Sequence, residues 1–158
     1  MASRTSSRSP FRKLSILDSL DRFLISEMHH WGIPVLRIAL GIVYLWFGAL
    51  KVMGVTPVYD LIAQTYAFLP TQGFLLILGW WEVAIGVCLL TRHFLRGALA
   101  LLWLQMAGTF FAVILSPAVF TLSGNPLLLT VEGEFVIKNI VLISAGLVIG
   151  GYEIKRKT

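Results

Sequence analysis

The chain has 158 residues, of which 57% are hydrophobic and 13% charged, with a formal net charge of +5. A soluble domain of this length carries about 25% charged residues, so the composition excludes an ordinary soluble enzyme, a disordered regulator and a nucleic-acid-binding module. The single cysteine, Cys88, excludes an intramolecular disulfide framework, a CxxC redox pair and a thiolate metal cluster. This is the composition of a small polytopic membrane protein.

Residues 1–10 are rich in Ser and Arg and read as a disordered basic tail. Residues 11–30 read as an amphipathic helix, best defined over Phe11–Met28. Ser15, Ser19, Arg22 and Ser26 repeat on one face, and Leu14, Leu17, Leu20, Leu24 and Met28 line another. Such a helix suits the cytoplasmic interface of a bilayer; packing against the base of the chain's own helices is the other reading. The segment is not expected to be a cleavable signal peptide, because its first long apolar run starts late and lacks an A-x-A-like exit. Glu27, His29 and His30 are potential metal ligands, but adjacent histidines point to different helix faces, so a solvated juxtamembrane cluster is expected and no metal site.

Four apolar stretches follow, approximately Ile33–Met53, Gln72–Leu90, Leu95–Leu115 and Phe135–Gly151. Crossing a hydrocarbon core takes about 20 helical residues, and backbone groups in lipid must pair within their own segment. The expected fold is all-α: an integral membrane four-helix bundle over residues 31–152, with the N-terminal amphipathic helix before it and a basic tail over 153–158. Orientation follows from Lys and Arg. Arg4, Arg8, Arg12, Lys13 and Arg22 precede the first span, Arg92 and Arg96 join the second to the third, and Lys155, Arg156 and Lys157 follow the fourth. Both termini are therefore expected to be cytoplasmic. The basic balance is a topology signal with attraction to anionic headgroups, not a sign of nucleic acid.

Two external loops remain. Thr56-Pro57 reads as an N-cap with Pro at the first helical position of a short helix over Pro57–Ala67, closed by Pro70. Ser116-Pro117 ends the third span, and Gly124-Asn125-Pro126 marks a turn between Val119–Leu122 and Leu127–Val131, which predicts a small hairpin.

Ionisable residues inside spans cost several kcal/mol unless paired or hydrated, at about this order of magnitude. Arg37, Lys51, Glu82 and Lys138 qualify, with Gln105 as a neutral companion. Arg37, Gly41, Tyr44, Gly48 and Lys51 make one helical stripe; Gly79, Glu82 and Gly86 make another. Ala98, Leu101, Gln105, Gly108 and Ala112 share a face of the third span. On the fourth, Lys138, Val141 and Ala145 form one stripe, while Asn139, Gly146 and Gly150 lie beside it with a GxxxG pattern. Glycines admit close helix approach, so Gly41, Gly48, Gly79, Gly86, Gly108, Gly146 and Gly150 are the expected packing positions. Glu82 lies about 15 Å below the outer end of its helix, and is expected to pair with Lys51 or Lys138 around a polar pocket opening outward. The alternative is a pair that only fixes helix register, with Arg37 as an interfacial anchor and Gln105 as an interhelical hydrogen bond. His93 reads as solvated and Cys88 as a small hydrophobe. The Trp and Tyr residues suit aromatic belts, although they are also able to stack on a quinone; Trp46 stands out beside Gly48–Lys51.

Leu36-Arg37-Ile38 through Trp46-Phe47-Gly48-Ala49-Leu50-Lys51 resembles the first span of the DoxX-like membrane proteins, nearest to their YkgB/RclC-type branch. Glu82-Val83-Ala84-Ile85-Gly86-Val87 resembles the E-V-x-I-G-V of that branch, and Gly133-Glu134-Phe135-Val136-Ile137-Lys138-Asn139 resembles its G-R-x-x-x-K-D element. Glu134 and Asn139 depart from the branch, which tends to have Arg and Asp there. The resemblance implies a four-helix bundle in a bacterial-type plasma membrane, and a link to oxidant stress or to membrane redox enzymes. Its implied ligand is a quinone or a small oxidised molecule. The candidate pocket residues are Arg37, Tyr44, Trp46, Lys51, Glu82, Gln105, Lys138 and Asn139: a Lys would hydrogen-bond a quinone carbonyl and Glu82 would relay a proton. No catalytic, metal, haem or nucleotide motif is visible. The competing hypothesis is a noncatalytic accessory subunit of a larger membrane complex or a homo-oligomer, docked through the fourth-span GxxxG, the amphipathic helix and the basic tails.

Overall fold

A computed structural model describes residues 11–66 and 69–154. The expected tail over 1–10 and the last four residues of the tail over 153–158 lie outside these. The described chain is mostly helical: α1 (Phe11–Val52), α2 (Tyr59–Thr65), α3 (Thr71–Thr91), α4 (Leu95–Leu115), α5 (Pro117–Phe120), the strands β1 (Thr121–Leu122) and β2 (Asn125–Leu129), and α6 (Val131–Glu153). Helices α1, α3, α4 and α6 are long and apolar enough to cross a membrane. Only 22% to 33% of their most apolar windows is buried within the chain. Much of the remainder is exposed apolar surface, more than a water-soluble monomer carries and compatible with contact to lipid.

The amphipathic helix and the first span, expected as separate elements, are one continuous helix of 42 residues with Pro34 inside it. Pro34 removes a single N–H, that which would reach the His30 carbonyl. The chain divides into two units at Val35/Leu36. In the first, every described side chain from Ile16 to Gly32 is exposed, including Leu17, Leu20, Phe23, Leu24 and Trp31.

In the second unit, α1 from Leu36 onward packs antiparallel against α3 through four glycines. A Cβ on Gly86 would fall 2.6 Å from the Leu45 nitrogen, and one on Gly48 would fall 2.7 Å from the Gly79 carbonyl oxygen. Gly41 meets Leu90 and the Gly86 carbonyl, and Gly79 meets Lys51 and Gly48. Side chains would separate these backbones, so the contact exists because glycines stand on both helices. On α6, Gly146 and Gly150 receive Leu99 and Trp103 of α4. Gly108 differs from the packing role expected for it: it is exposed, and nothing lies within 4 Å of where its Cβ would be. Leu40, Tyr44, Ile85, Leu89, Leu99, Leu102, Met106 and Ile149 make the main core. A smaller cluster of Ala112, Phe120 and Val136 lies against Leu61 and Tyr66.

The connections depart from expectation in detail. Helix α2 starts at Tyr59 with Val58 as its N-cap residue, and Thr56 Oγ1 accepts from the Val58 N–H at 3.5 Å in a local turn before it. Val119 belongs to the one-turn helix α5, which Pro117 opens. The hairpin that follows pairs Leu122 with Asn125, so its loop is Ser123-Gly124, both with positive φ (54° and 73°), and not Gly124-Asn125-Pro126. Two positive-φ residues give the twist that suits a two-residue hairpin. Helix α6 begins four residues earlier than expected, at Val131. Thr130 caps it, its Oγ1 accepting from the Gly133 N–H at 3.1 Å, and Glu132 and Glu134 sit in the first turn where the helix dipole favours acids.

Candidate functional site

The α1–α3 glycine contact brings two polar stripes face to face. Lys51 Nζ meets Glu82 Oε2 at 2.6 Å, and both side chains are only 8% exposed. The other carboxylate oxygen, Oε1, accepts from Gln105 Nε2 of α4. Three helices therefore converge on one carboxylate. Trp81, the residue before Glu82, donates its indole N–H to the Leu101 carbonyl at 3.1 Å and holds α3 to α4 at that height. Tyr44 lies one stripe position from Gly48 on α1, is 4% exposed, and is within electrostatic reach of Glu82. Its hydroxyl has no hydrogen-bond partner, and neither has Gln105 Oε1. The cation lies 6.0 Å from the Phe47 ring centre.

Arg37 belongs to a second cluster. Its Nε bonds Glu153 Oε1 at 3.0 Å, and its NH1 donates to the Leu89 carbonyl and, at 3.3 Å, to the Leu90 carbonyl. Those carbonyls belong to the last turn of α3, where intrahelical donors run out and a cation is favourable. Glu153 Oε2 lies 3.3 Å from Arg92 Nε, an ion-pair contact without a directed hydrogen bond. Glu153 went unrecognised in the sequence, although it continues the buried stripe of Ala145, Gly146 and Ile149 by one more turn.

Other candidates lie elsewhere. Lys138 does not approach Glu82: its side chain is 66% exposed and pairs with Glu134 at 3.4 Å, one turn back on α6. Gly133 and Val136 are the residues buried at this height, which leaves Lys138 outside, 5.3 Å from the Phe135 ring centre. Asn139 is partly buried beside it. Trp46 is 65% exposed and borders a shallow apolar hollow of about 280 Å³ with Ile42, Leu45, Ala49 and Leu50. At helical spacing that face lies opposite the Tyr44–Lys51 stripe. Among the described residues, no group of three or more His, Cys, Asp or Glu gathers into a metal-binding set.

The segment between α2 and α3 also contacts α4. Tyr66 donates its hydroxyl to the Gly108 carbonyl at 3.0 Å, one helical turn from Gln105. Neighbouring Thr65 is buried with its hydroxyl unpaired. What the arrangement offers chemically is a desolvated carboxylate with a cation and an amide on it, and unpaired donor and acceptor atoms alongside. Compared with protein-family models, curated proteins and solved structures, the chain finds no match in any of the three.

Proposed function

We propose that the chain is a DoxX-like membrane protein, a four-helix bundle of a bacterial-type plasma membrane with both termini cytoplasmic. Its Lys51–Glu82–Gln105 cluster binds the polar head of a quinone or of a small oxidised molecule. The orientation rests on the Lys and Arg flanking the spans, and the family on the three motifs around Arg37–Lys51, Glu82–Val87 and Gly133–Asn139.

The observation that carries the ligand reading is the pair of buried, unpartnered atoms beside the ion pair, Tyr44 Oη and Gln105 Oε1. A buried polar atom without a partner costs about 1–3 kcal/mol, and most such atoms in folded proteins are satisfied. Two of them next to a desolvated Lys–Glu pair suit a site that a polar headgroup completes. Lys51 then supplies a donor to a ligand carbonyl, and Glu82 holds the cation in place. Trp46 lies on the opposite face of α1 from this cluster.

Titrating decylubiquinone into purified protein in detergent, followed by intrinsic fluorescence, tests the reading. Saturable quenching that Lys51→Ala abolishes is the expected result. The absence of saturation, or equal quenching in Lys51→Ala, rejects it.

An accessory role in a larger complex is the second reading, favoured by the exposed apolar row from Leu17 to Trp31. Gly146 and Gly150 do not contribute to it, because α4 side chains already cover them. Affinity purification in mild detergent separates the two readings: recovery of this chain alone counts against an accessory role.

A further inference from the structure

The chemistry of the unpaired atoms says more than that a ligand binds. Gln105 Nε2 donates to a carboxylate oxygen of Glu82. Turning the amide over would set its oxygen against that carboxylate, so the neighbour fixes which end is which. Gln105 Oε1 is left buried without a partner, and an amide oxygen only accepts. Tyr44 Oη is also unpartnered, so the two atoms do not satisfy each other. Lys51 gives Glu82 one of its three ammonium protons. The site thus presents donors from Tyr44 and Lys51 and one oriented acceptor from Gln105.

A headgroup bearing only carbonyl and ether oxygens answers the donors and leaves Gln105 Oε1 unpaired. A hydroxyl answers both, since it donates and accepts.

We infer that this site selects a hydroxyl-bearing headgroup, so that the quinol form of an amphiphile binds in preference to the quinone. The inference rests on the reading of the cluster as a ligand site. It differs from that reading in naming the hydrogen-bond donor the ligand must carry and the residue that reads it. Loss of one hydrogen bond to a buried acceptor corresponds to a preference of roughly ten- to a hundredfold.

The test compares decylubiquinol with decylubiquinone, titrated anaerobically into the full-length protein in detergent and followed by fluorescence against a micelle blank. A third titration uses the dimethyl ether of the quinol, which keeps the ring and loses both donors. The expected result is binding of the quinol at least tenfold tighter than of either other ligand. In Gln105→Met the preference falls to about twofold, and in Tyr44→Phe all three ligands weaken alike. Equal binding of quinol and ether overturns the inference while leaving a ligand site standing, and needs no variant. An unchanged preference in Gln105→Met overturns Gln105 as the reader. If none of the three binds, the ligand-site reading falls and this inference with it.

Discussion

Arg37 and Glu153 stand 116 residues apart in sequence and meet at 3.0 Å, Nε to Oε1, with both side chains under a tenth exposed. The contact ties α1 to the end of α6, and the same guanidinium closes the end of α3 on Leu89 and Leu90. A planar fork with five donors serves three acceptors in different directions, and an ammonium does not reproduce that geometry.

Arg37→Met leaves Glu153 buried without its strongest partner and is expected to cost about 3–5 kcal/mol, read as a fall in unfolding midpoint in detergent. Arg37→Lys recovers part of this. Arg92→Ala costs about 0–1 kcal/mol, because the Arg92 side chain is 62% exposed.

Lys51 and Glu82 call for a double-mutant cycle. Each single change, Lys51→Met or Glu82→Leu, strands a buried charge and is expected to destabilise by about 3–5 kcal/mol. The double change removes both charges and is expected to cost much less than the sum of the two, with the difference giving the coupling. Additive single effects would show that the pair is not closed in the membrane.

The glycines separate cleanly by their surroundings. Gly86→Ala and Gly48→Ala press a methyl into backbone atoms at 2.6 and 2.7 Å, and overpacking of this kind costs about 1–3 kcal/mol. Gly108→Ala meets nothing within 4 Å and is expected to leave the unfolding midpoint unchanged or slightly raised, since alanine favours helix over glycine.

Thr130→Ala removes the cap on α6 and is expected to cost about 1 kcal/mol, with serine restoring most of it. Gly133→Ala costs more, because its methyl would run into the Phe120 carbonyl. Thermal unfolding of the three variants in one detergent ranks them.

Tyr66 lies outside the spans, and partial burial holds its hydroxyl pKa above the ordinary value of 10.0. A group with a raised folded pKa contributes stability that is complete below its unfolded pKa and declines as pH rises past it. The unfolding midpoint is therefore expected to fall above pH 10, and Tyr66→Phe to flatten that fall. A slope identical in wild type and Tyr66→Phe would assign the alkaline loss to other groups.

How much of this was legible follows from what periodicity encodes. Spacing tells which residues share a helix face, so the Arg37–Lys51 stripe and the Gly79–Glu82–Gly86 stripe are visible in the sequence, and one of the two pairings expected for Glu82 is the one formed. Spacing does not tell which neighbour stands at a given height. Lys138 therefore looked like a partner for Glu82 and instead turns back to Glu134. Glu153 went unrecognised because a carboxylate after the last apolar residue reads as tail, although the helical stripe runs on to it. The change from an amphipathic to an all-apolar pattern after residue 30 suggests two elements, yet α1 runs through it and through Pro34. Trp46 shares a helix with the cluster and faces the other way.

The α1–α3 seam has a consequence for how this chain tolerates change. At an ordinary core position such as Leu89, a substitution can shrink or enlarge the side chain, and neighbours relax in either direction. Gly41, Gly48, Gly79 and Gly86 have nothing to remove, so every substitution there adds atoms where backbones already touch. Variation at these four positions is one-sided, and a gain of bulk on one helix has no smaller partner on the other to offset it. The seam thus sets an inheritance constraint that sits beside the polar cluster without depending on what the cluster binds.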